Sequence, residues 1–112
     1  MAKLSKSAFL HRHCLVKCRP DVSFDALYKH WLEAHVPNVQ AVMEKVGGFR
    51  YVVSHSIYPE QAPYAGMAEL YFHQPSDFDT YQQLITSDGI ENFIALNGVS
   101  VFRGNTEMVG IP

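Results

Sequence analysis

The chain has 112 residues, of which 47% are hydrophobic and 18% are charged. We expect residues 1–112 to form a single domain, since this length suits one core and the composition is too apolar for a disordered chain. The formal net charge is -2 and the sequence has no basic run, so a nucleic-acid partner is not expected. No segment resembles an export signal or is long enough to span a membrane, so we expect a soluble protein without a membrane partner.

The hydrophobic pattern predicts the element order β-α-β-β-α-β. The first strand covers residues 8–17, and apolar residues occupy both of its faces, which is typical of a central strand. Leu10, Cys14 and Val16 share one face, and Phe9 and Leu15 share the other.

A helix is predicted to begin at Phe24, with Ser23 as its N-cap and Asp25 in its first turn. Five of its residues, spaced by three or four, fall on one apolar face that we expect to point toward the core: Phe24, Leu27, Tyr28, Trp31 and His35. Pro37 disfavours helical geometry at the residue before it, so the helix should kink or stop there. A second helical stretch then covers residues 38–46.

The alternating pattern of residues 49–57 predicts an edge or half-covered strand with Phe49, Tyr51, Val53, His55 and Ile57 on one face. The third strand covers residues 66–72. Ser76 is predicted to cap the second main helix. The buried stripe of that helix consists of Phe78, Tyr81, Leu84 and Ile85. A short helical piece at 90–96, a turn at Asn97-Gly98 and a fourth strand at 99–103 complete the pattern.

Four strands with helices on one side predict an α+β ferredoxin-like fold, a two-layer β-α-β-β-α-β sandwich. The second face of the sheet is then left uncovered. A second copy of the same sheet, related by a two-fold axis, is the simplest cover for that face. We therefore expect a homodimer.

The two cysteines, Cys14 and Cys18, lie four residues apart in the predicted strand region, a separation of roughly 13 Å at strand rise. That distance excludes a disulfide between them. Because free thiols are typical of a reducing compartment, we expect the protein in the cytoplasm. We interpret Cys14 as a buried apolar residue rather than a nucleophile.

Residues 24–37, FDALYKHWLEAHVP, resemble the F-x-x-Y-W-x-x-x-H-x-P signature of EthD-like proteins. Here Tyr28 stands four residues after Phe24, and His30 fills the place before Trp31. Residues 68–72, AELYF, are similar to the A-E-L-W-F strand of that family, with Tyr71 in place of the tryptophan. The resemblance covers essentially the whole chain. It implies a dimeric α+β barrel with a small hydrophobic cavity between helices and sheet in each subunit.

His35 is the predicted catalytic residue, because an imidazole on a buried stripe can hold or release a proton near neutral pH. Its role would be that of a general acid/base. The alternative is a core histidine that binds a backbone carbonyl freed by the break at Pro37.

Three further histidines are predicted to contact substrate, and we expect them to converge on one cavity. His11 and His13 share a strand face, and His55 lies on the aromatic face of the second strand with Tyr51. Three imidazoles could hold a metal ion, but no carboxylate ligand accompanies them, so no metal is predicted.

Aromatic residues are predicted to form a flat-walled pocket for a cyclic ligand, with hydroxyl groups that orient a carbonyl: Tyr28, Trp31, Tyr51 and Tyr71. The alternative for each is packing in the core. The sequence has no glycine-rich phosphate loop, dinucleotide fingerprint or serine nucleophile elbow, so no cofactor is predicted.

These features favour a cofactor-independent isomerase or dehydratase/cyclase that acts by proton transfer on a lactone or a polyketide-like, small hydrophobic or cyclic carbonyl compound. EthD-like relatives include an accessory component of ether-degrading monooxygenase systems, lactone isomerases and polyketide dehydratases or cyclases, so the resemblance does not fix one reaction. Two alternatives stay open: a non-catalytic accessory protein of an ether- or aromatic-degrading oxidoreductase system, and a cofactor-free monooxygenase.

Overall fold

Four antiparallel strands form one sheet in the order β2-β3-β1-β4. The computed structural model describes residues 3–95 and 100–110, and side chains over residues 10–95. The strands are β1 Lys3–Val16, β2 Gly48–His55, β3 Gly66–Phe72 and β4 Ser100–Gly110. The central position of β1 and the edge position of β2 confirm the predictions made for these two strands. The order and the helices between the strands give the predicted ferredoxin-like α+β fold.

A long helical segment connects β1 to β2. It consists of α1 Phe24–His30, a π-helical turn Trp31–His35, and α2 Val36–Lys45. The predicted N-cap is confirmed, because the Ser23 hydroxyl oxygen accepts a hydrogen bond from the Ala26 amide at 3.1 Å.

The sequence predicts a kink or a stop before Pro37, and the stop is wrong, because the chain stays helical through this residue. Proline lacks an N–H, and its ring would clash with the carbonyl four residues back in a regular α-helix. The wider π-turn relieves this conflict: the Val36 amide donates to the Trp31 carbonyl, five residues earlier. The turn begins at Trp31 and ends at His35, two residues of the predicted site.

Helix α3, Pro75–Leu84, connects β3 to the last part of the chain. The predicted cap at Ser76 is wrong, because the helix begins one residue earlier with Pro75, whose missing N–H costs nothing at a first helical position. A single 3₁₀ turn, Ile90–Asn92, replaces the longer helical piece predicted there. The predicted Asn97-Gly98 turn lies outside the described residues.

The helices pack on one face of the sheet. Along β3 the side chains alternate strictly, and Ala68, Leu70 and Phe72 are buried beneath the helices. On β1, Leu10 and Val16 are buried on the same side. Val46 and Ala65 add to the core from outside the helices and strands, and the helices contribute its remaining residues: Leu27, Trp31, Val39, Val42, Met43, Phe78 and Tyr81.

Leu84, which is predicted to lie in a buried helical stripe, is exposed, and so are Phe49 and Ile57 of the predicted strand face. Leu84 is 48% exposed at the end of α3, and Ile57, which lies beyond the end of β2, is 86% exposed. A register shift between Gly48 and Arg50 turns Phe49 onto the rings of Tyr71 and His73. None of the helices in the described part of the chain has the length and apolar character that a membrane span requires.

Candidate functional site

A cavity of about 490 Å³ lies between the helices and the sheet. This volume is within the range of about 300–1,000 Å³ that is common for small-molecule sites. Its aliphatic wall residues are Val16, Val39, Ala68, Leu70, Ile85, Ile90 and Ile94. Its aromatic, polar or reactive wall residues are Arg12, Cys14, Trp31, His35, Tyr51, Tyr81 and Gln82.

The imidazole of His35 on this wall is held by the carboxylate of Asp88. The distance from His35 Nδ1 to Asp88 Oδ2 is 2.7 Å. An ionised carboxylate can only accept, so Nδ1 carries the proton and Nε2 is the ring nitrogen left to exchange a proton with a ligand. The alternative interpretation of His35, a hydrogen bond to a carbonyl freed near Pro37, is not what the structure shows.

Asp88 is fixed by several donors at once. The Asn38 amide donates to Oδ2 at 2.8 Å, and the Ile90 backbone N–H donates to Oδ1 at 3.0 Å. His30 Nε2 lies 3.3 Å from Oδ1. Burial acts to raise the pKa of Asp88, but the hydrogen bonds from Asn38 and His35 outweigh it and lower this pKa to about 2. The carboxylate is therefore ionised at neutral pH.

Local backbone structure brings Asp88 to the helix. Gly89 adopts a left-handed conformation with φ of +92°, which lets the chain turn directly into the 3₁₀ helix. The hydrogen bond from the Ile90 amide to the Asp88 side chain closes the same turn. Asn38 also donates to the Thr86 carbonyl at 2.9 Å, which ties this segment to α2.

Two polar atoms of the cavity wall are buried without a hydrogen-bond partner among the described residues: Trp31 Nε1 and the Tyr51 hydroxyl. Burial raises the pKa of Tyr51 to about 12, while the nearby indole N–H of Trp31 acts in the opposite direction. No hydrogen bond of normal geometry joins the two groups. Both are donors at neutral pH, and unpaired buried donors favour a ligand that brings an acceptor oxygen.

Tyr28 and His55 pack behind Trp31 rather than on the cavity wall. Their rings stack with a centroid distance of 4.1 Å and an interplanar angle of 14°. The His55 ring lies 4.8 Å from that of Trp31, and the Tyr28 hydroxyl donates to the Ala65 carbonyl at 2.7 Å. Burial lowers the pKa of His55, which favours the neutral imidazole. Neither residue lines this cavity, and both support the Trp31 side of it from behind.

His11, His13 and Tyr71 lie on the opposite face of the sheet. The rings of His11 and His13 are 4.9 Å apart, and His13 Nε2 lies 3.5 Å from Glu69 Oε1. The Tyr71 hydroxyl donates to Glu69 at 2.9 Å. The expectation that His11, His13 and His55 converge on one cavity is wrong, as is the placement of Tyr71 in the aromatic pocket. Strand alternation predicts which residues share a face but not which face the helices cover.

The comparisons with known proteins agree with this architecture. The family model of the EthD domain matches residues 19–96, which is more than half of the chain. The chain belongs to the EthD family. No curated protein matches it significantly.

Several solved structures share the fold of this EthD-family protein. A dimeric protein of unknown function and ferredoxin-like fold from Bacteroides fragilis NCTC 9343 superposes with a TM-score of 0.67 and 12% identity, over 91% of this chain and 100% of that one. A mutant of SnoaB, a cofactor-independent oxygenase from Streptomyces nogalater, superposes with a TM-score of 0.63 and 5% sequence identity. The match covers 89% of this chain and 94% of that one. An EthD family protein from Bacillus halodurans C-125 superposes with a TM-score of 0.58 and 15% sequence identity. The match covers 85% of this chain and 96% of that one. At these identities the likeness shows the fold alone.

Both cysteines of this EthD-family protein are free. Cys14 is half-buried, and burial raises the pKa of its thiol, which stays protonated and forms part of the cavity wall. Among the described residues, no group of three or more histidine, cysteine or acidic side chains is arranged to hold a metal ion.

Sequence reasoning missed three residues that shape the EthD site: His30, Asn38 and Asp88. Asp88 lies 53 residues from His35 along the chain. No local pattern joins residues so far apart. Asn38, three residues after His35, is the one that helical spacing could have indicated.

Proposed function

We propose that this EthD-family protein is an enzyme that moves a proton on a carbonyl compound without a nucleotide cofactor. The observation that carries the proposal is the His35–Asp88 pair at the wall of a largely aliphatic cavity. The apolar ring of a lactone or a polyketide-like compound matches the aliphatic wall of such a cavity, and its carbonyl oxygen can accept hydrogen bonds from the polar wall residues. The reaction would be an isomerisation, or a dehydration or cyclisation.

In the proposed mechanism, the substrate's carbonyl oxygen accepts hydrogen bonds from the Trp31 N–H and the Tyr51 hydroxyl. His35 Nε2 then takes a proton from the carbon beside the carbonyl, and the C–H electron pair forms the C=C bond of an enolate. The two donors stabilise the negative oxygen, and Asp88 stabilises the imidazolium. His35 returns the proton to another carbon in an isomerisation, or to a departing hydroxyl in a dehydration, so no atom is gained from outside.

The test is exchange of substrate protons with solvent. Wild-type protein is incubated in D₂O with a panel of lactones and polyketide mimics, and deuterium incorporation is measured by mass spectrometry. Replacement of a general base typically costs about 10²–10⁴ in rate, so His35→Asn should lose exchange to that extent while the fold is retained. The matched control is His73→Asn, which removes an exposed imidazole outside the cavity and should not change the rate. Equal exchange by wild type and His35→Asn would remove His35 from the mechanism.

A cofactor-free oxygenase is the second candidate function, favoured by the fold it shares with SnoaB. The same proton removal produces an electron-rich enolate that molecular oxygen could oxidise. In that reaction one O₂ converts a ring CH₂ group to C=O, and the second oxygen atom leaves as water. Oxygen uptake by the wild-type protein with a phenolic or polyketide-type substrate would support this candidate. Ligand binding with neither exchange nor uptake would support the non-catalytic accessory role instead.

We further propose that the protein is a homodimer. The similar Bacteroides fragilis protein is described as dimeric, and among the described elements no helix covers the second face of the sheet. Light scattering at micromolar concentration should give twice the chain mass of 12.7 kDa. A monomer at that concentration would contradict the proposal. The free thiols support the cytoplasm as the compartment.

A further inference from the structure

Arg12 places a permanent positive charge on the wall of an otherwise largely aliphatic cavity. It lies on β1 opposite Leu70 of β3, on the sheet face that the helices cover. Its guanidinium carbon stands 5.5 Å from the centre of the Phe78 ring. Packing against this ring leaves the hydrogen-bonding edge of the guanidinium open to other partners.

No carboxylate pairs with Arg12 among the side chains that the structure describes, residues 10–95. The residue is partly buried, and a charge withdrawn from water is costly unless a counter-charge or hydrogen bonds replace the lost solvation. Tyr81 on α3 lies within range of this charge: burial raises the pKa of Tyr81 to about 12, and Arg12 acts in the opposite direction. A neutral phenol does not supply the missing negative charge.

We infer that Arg12 binds a carboxylate of the ligand. The ligands of the cavity are then ring compounds that carry a carboxylate in addition to the carbonyl group. A planar carboxylate matches the guanidinium through two parallel hydrogen bonds. This inference deepens the proposed function, because it assigns a substrate class to the same cavity.

A second interpretation of Arg12 is stabilisation of the enolate oxygen that forms during proton transfer. The unpaired donors of Trp31 and Tyr51 already suit that oxygen. The two interpretations differ in a measurable way. A residue that serves only the enolate affects turnover, whereas a residue that binds a permanent anion sets the affinity for acids before any reaction.

Equilibrium binding separates these interpretations without turnover. Trp31 is the single tryptophan of the chain and lies on the cavity wall, so its fluorescence reports occupancy. The probes are cyclohexanecarboxylate and adamantane-1-carboxylate, each compared with its neutral carboxamide of the same shape. None of the four absorbs at the wavelength that excites tryptophan.

Wild-type protein should bind the carboxylates about tenfold or more tightly than the carboxamides, as expected for charge-assisted hydrogen bonds. Arg12→Gln should lose this preference while its affinity for the carboxamides stays within about twofold. Arg12→Lys keeps the positive charge but not the planar guanidinium group, so it should retain part of the preference for carboxylates. The matched control is Arg50→Gln, which makes the same change of net charge at an exposed arginine next to Tyr71 and should keep the full preference.

Three results would overturn the inference: equal binding of acid and amide by wild type, an unchanged preference in Arg12→Gln, or failure of both carboxylates to bind wild type. Circular dichroism confirms that each variant is folded, and Arg12→Lys remains informative if Arg12→Gln is not. His35→Asn should keep the preference for acids. The binding assay therefore tests Arg12 even if His35 transfers no proton. The deuterium-exchange assay likewise tests His35 even if Arg12 binds no carboxylate.

Discussion

The hydrogen-bonded carboxylate of Asp88 should make the stability of the fold depend on pH. Its side chain is 12% exposed, and its pKa is lowered from 3.8 to about 2. Each pKa unit corresponds to about 1.36 kcal/mol, so ionised Asp88 contributes about 2 kcal/mol to the free energy of unfolding. Because the pKa is lower in the folded state, this contribution is complete above the unfolded pKa near 3.8 and is lost as the pH falls toward 2.

The perturbation that tests this is Asp88→Asn, which keeps the shape of the side chain and removes the titrating group. Urea unfolding followed by Trp31 fluorescence should show the variant about 2 kcal/mol less stable than wild type at neutral pH. The gap should narrow as the pH is lowered from 5 toward 3. Glu33→Gln, which neutralises an exposed acid in the π-helical turn that contains His35, is the control and should follow wild type. A difference in unfolding free energy between wild type and Asp88→Asn that stays constant with pH, or that is absent at neutral pH, would refute the reasoning.

Two other substitutions test the packing around the cavity. Gly66→Ala would place a Cβ 2.8 Å from the buried ring of Trp31. We therefore expect the free energy of unfolding to fall by about 1–3 kcal/mol and the tryptophan emission to shift. A fall of less than about 0.5 kcal/mol would contradict this expectation. Tyr28→Phe removes the 2.7 Å hydrogen bond to the Ala65 carbonyl. The free energy of unfolding in urea should fall by about 1 kcal/mol, and deuterium exchange into the substrate should not change. Loss of exchange in a stably folded variant would instead place Tyr28 in the reaction.

Much of the fold could be predicted from the sequence because local rules specify it. The Ser23 cap depends on residues within one turn of each other, and the faces of β1 and β3 follow from simple alternation. The edge position of β2 follows from its half-polar pattern. Helical spacing also placed Trp31 and His35 on the inward side of their helix, where the cavity lies.

The rest of the site depends on contacts that local patterns do not contain. Asp88 reaches His35 only after the segment that follows α3 folds back against the long helical segment. His13 and Tyr71 lie on the side of the sheet away from the cavity, and alternation carries no information on which side the helices cover. Pro37 predicts a kink or a stop, but a wider turn accommodates the proline and keeps the segment helical.

The π-turn from Trp31 to His35 gives the long helical segment one residue more than a regular α-helix would hold in the same length. Deletion of a single residue inside the turn would therefore restore ordinary α-helical winding, and the side chains of α2 would keep their directions. A deletion in a regular α-helical part of the segment would instead rotate every side chain beyond it by about 100° around the axis. The π-turn is thus a point at which the segment can change its length by one residue without changing the face that α2 presents to the sheet.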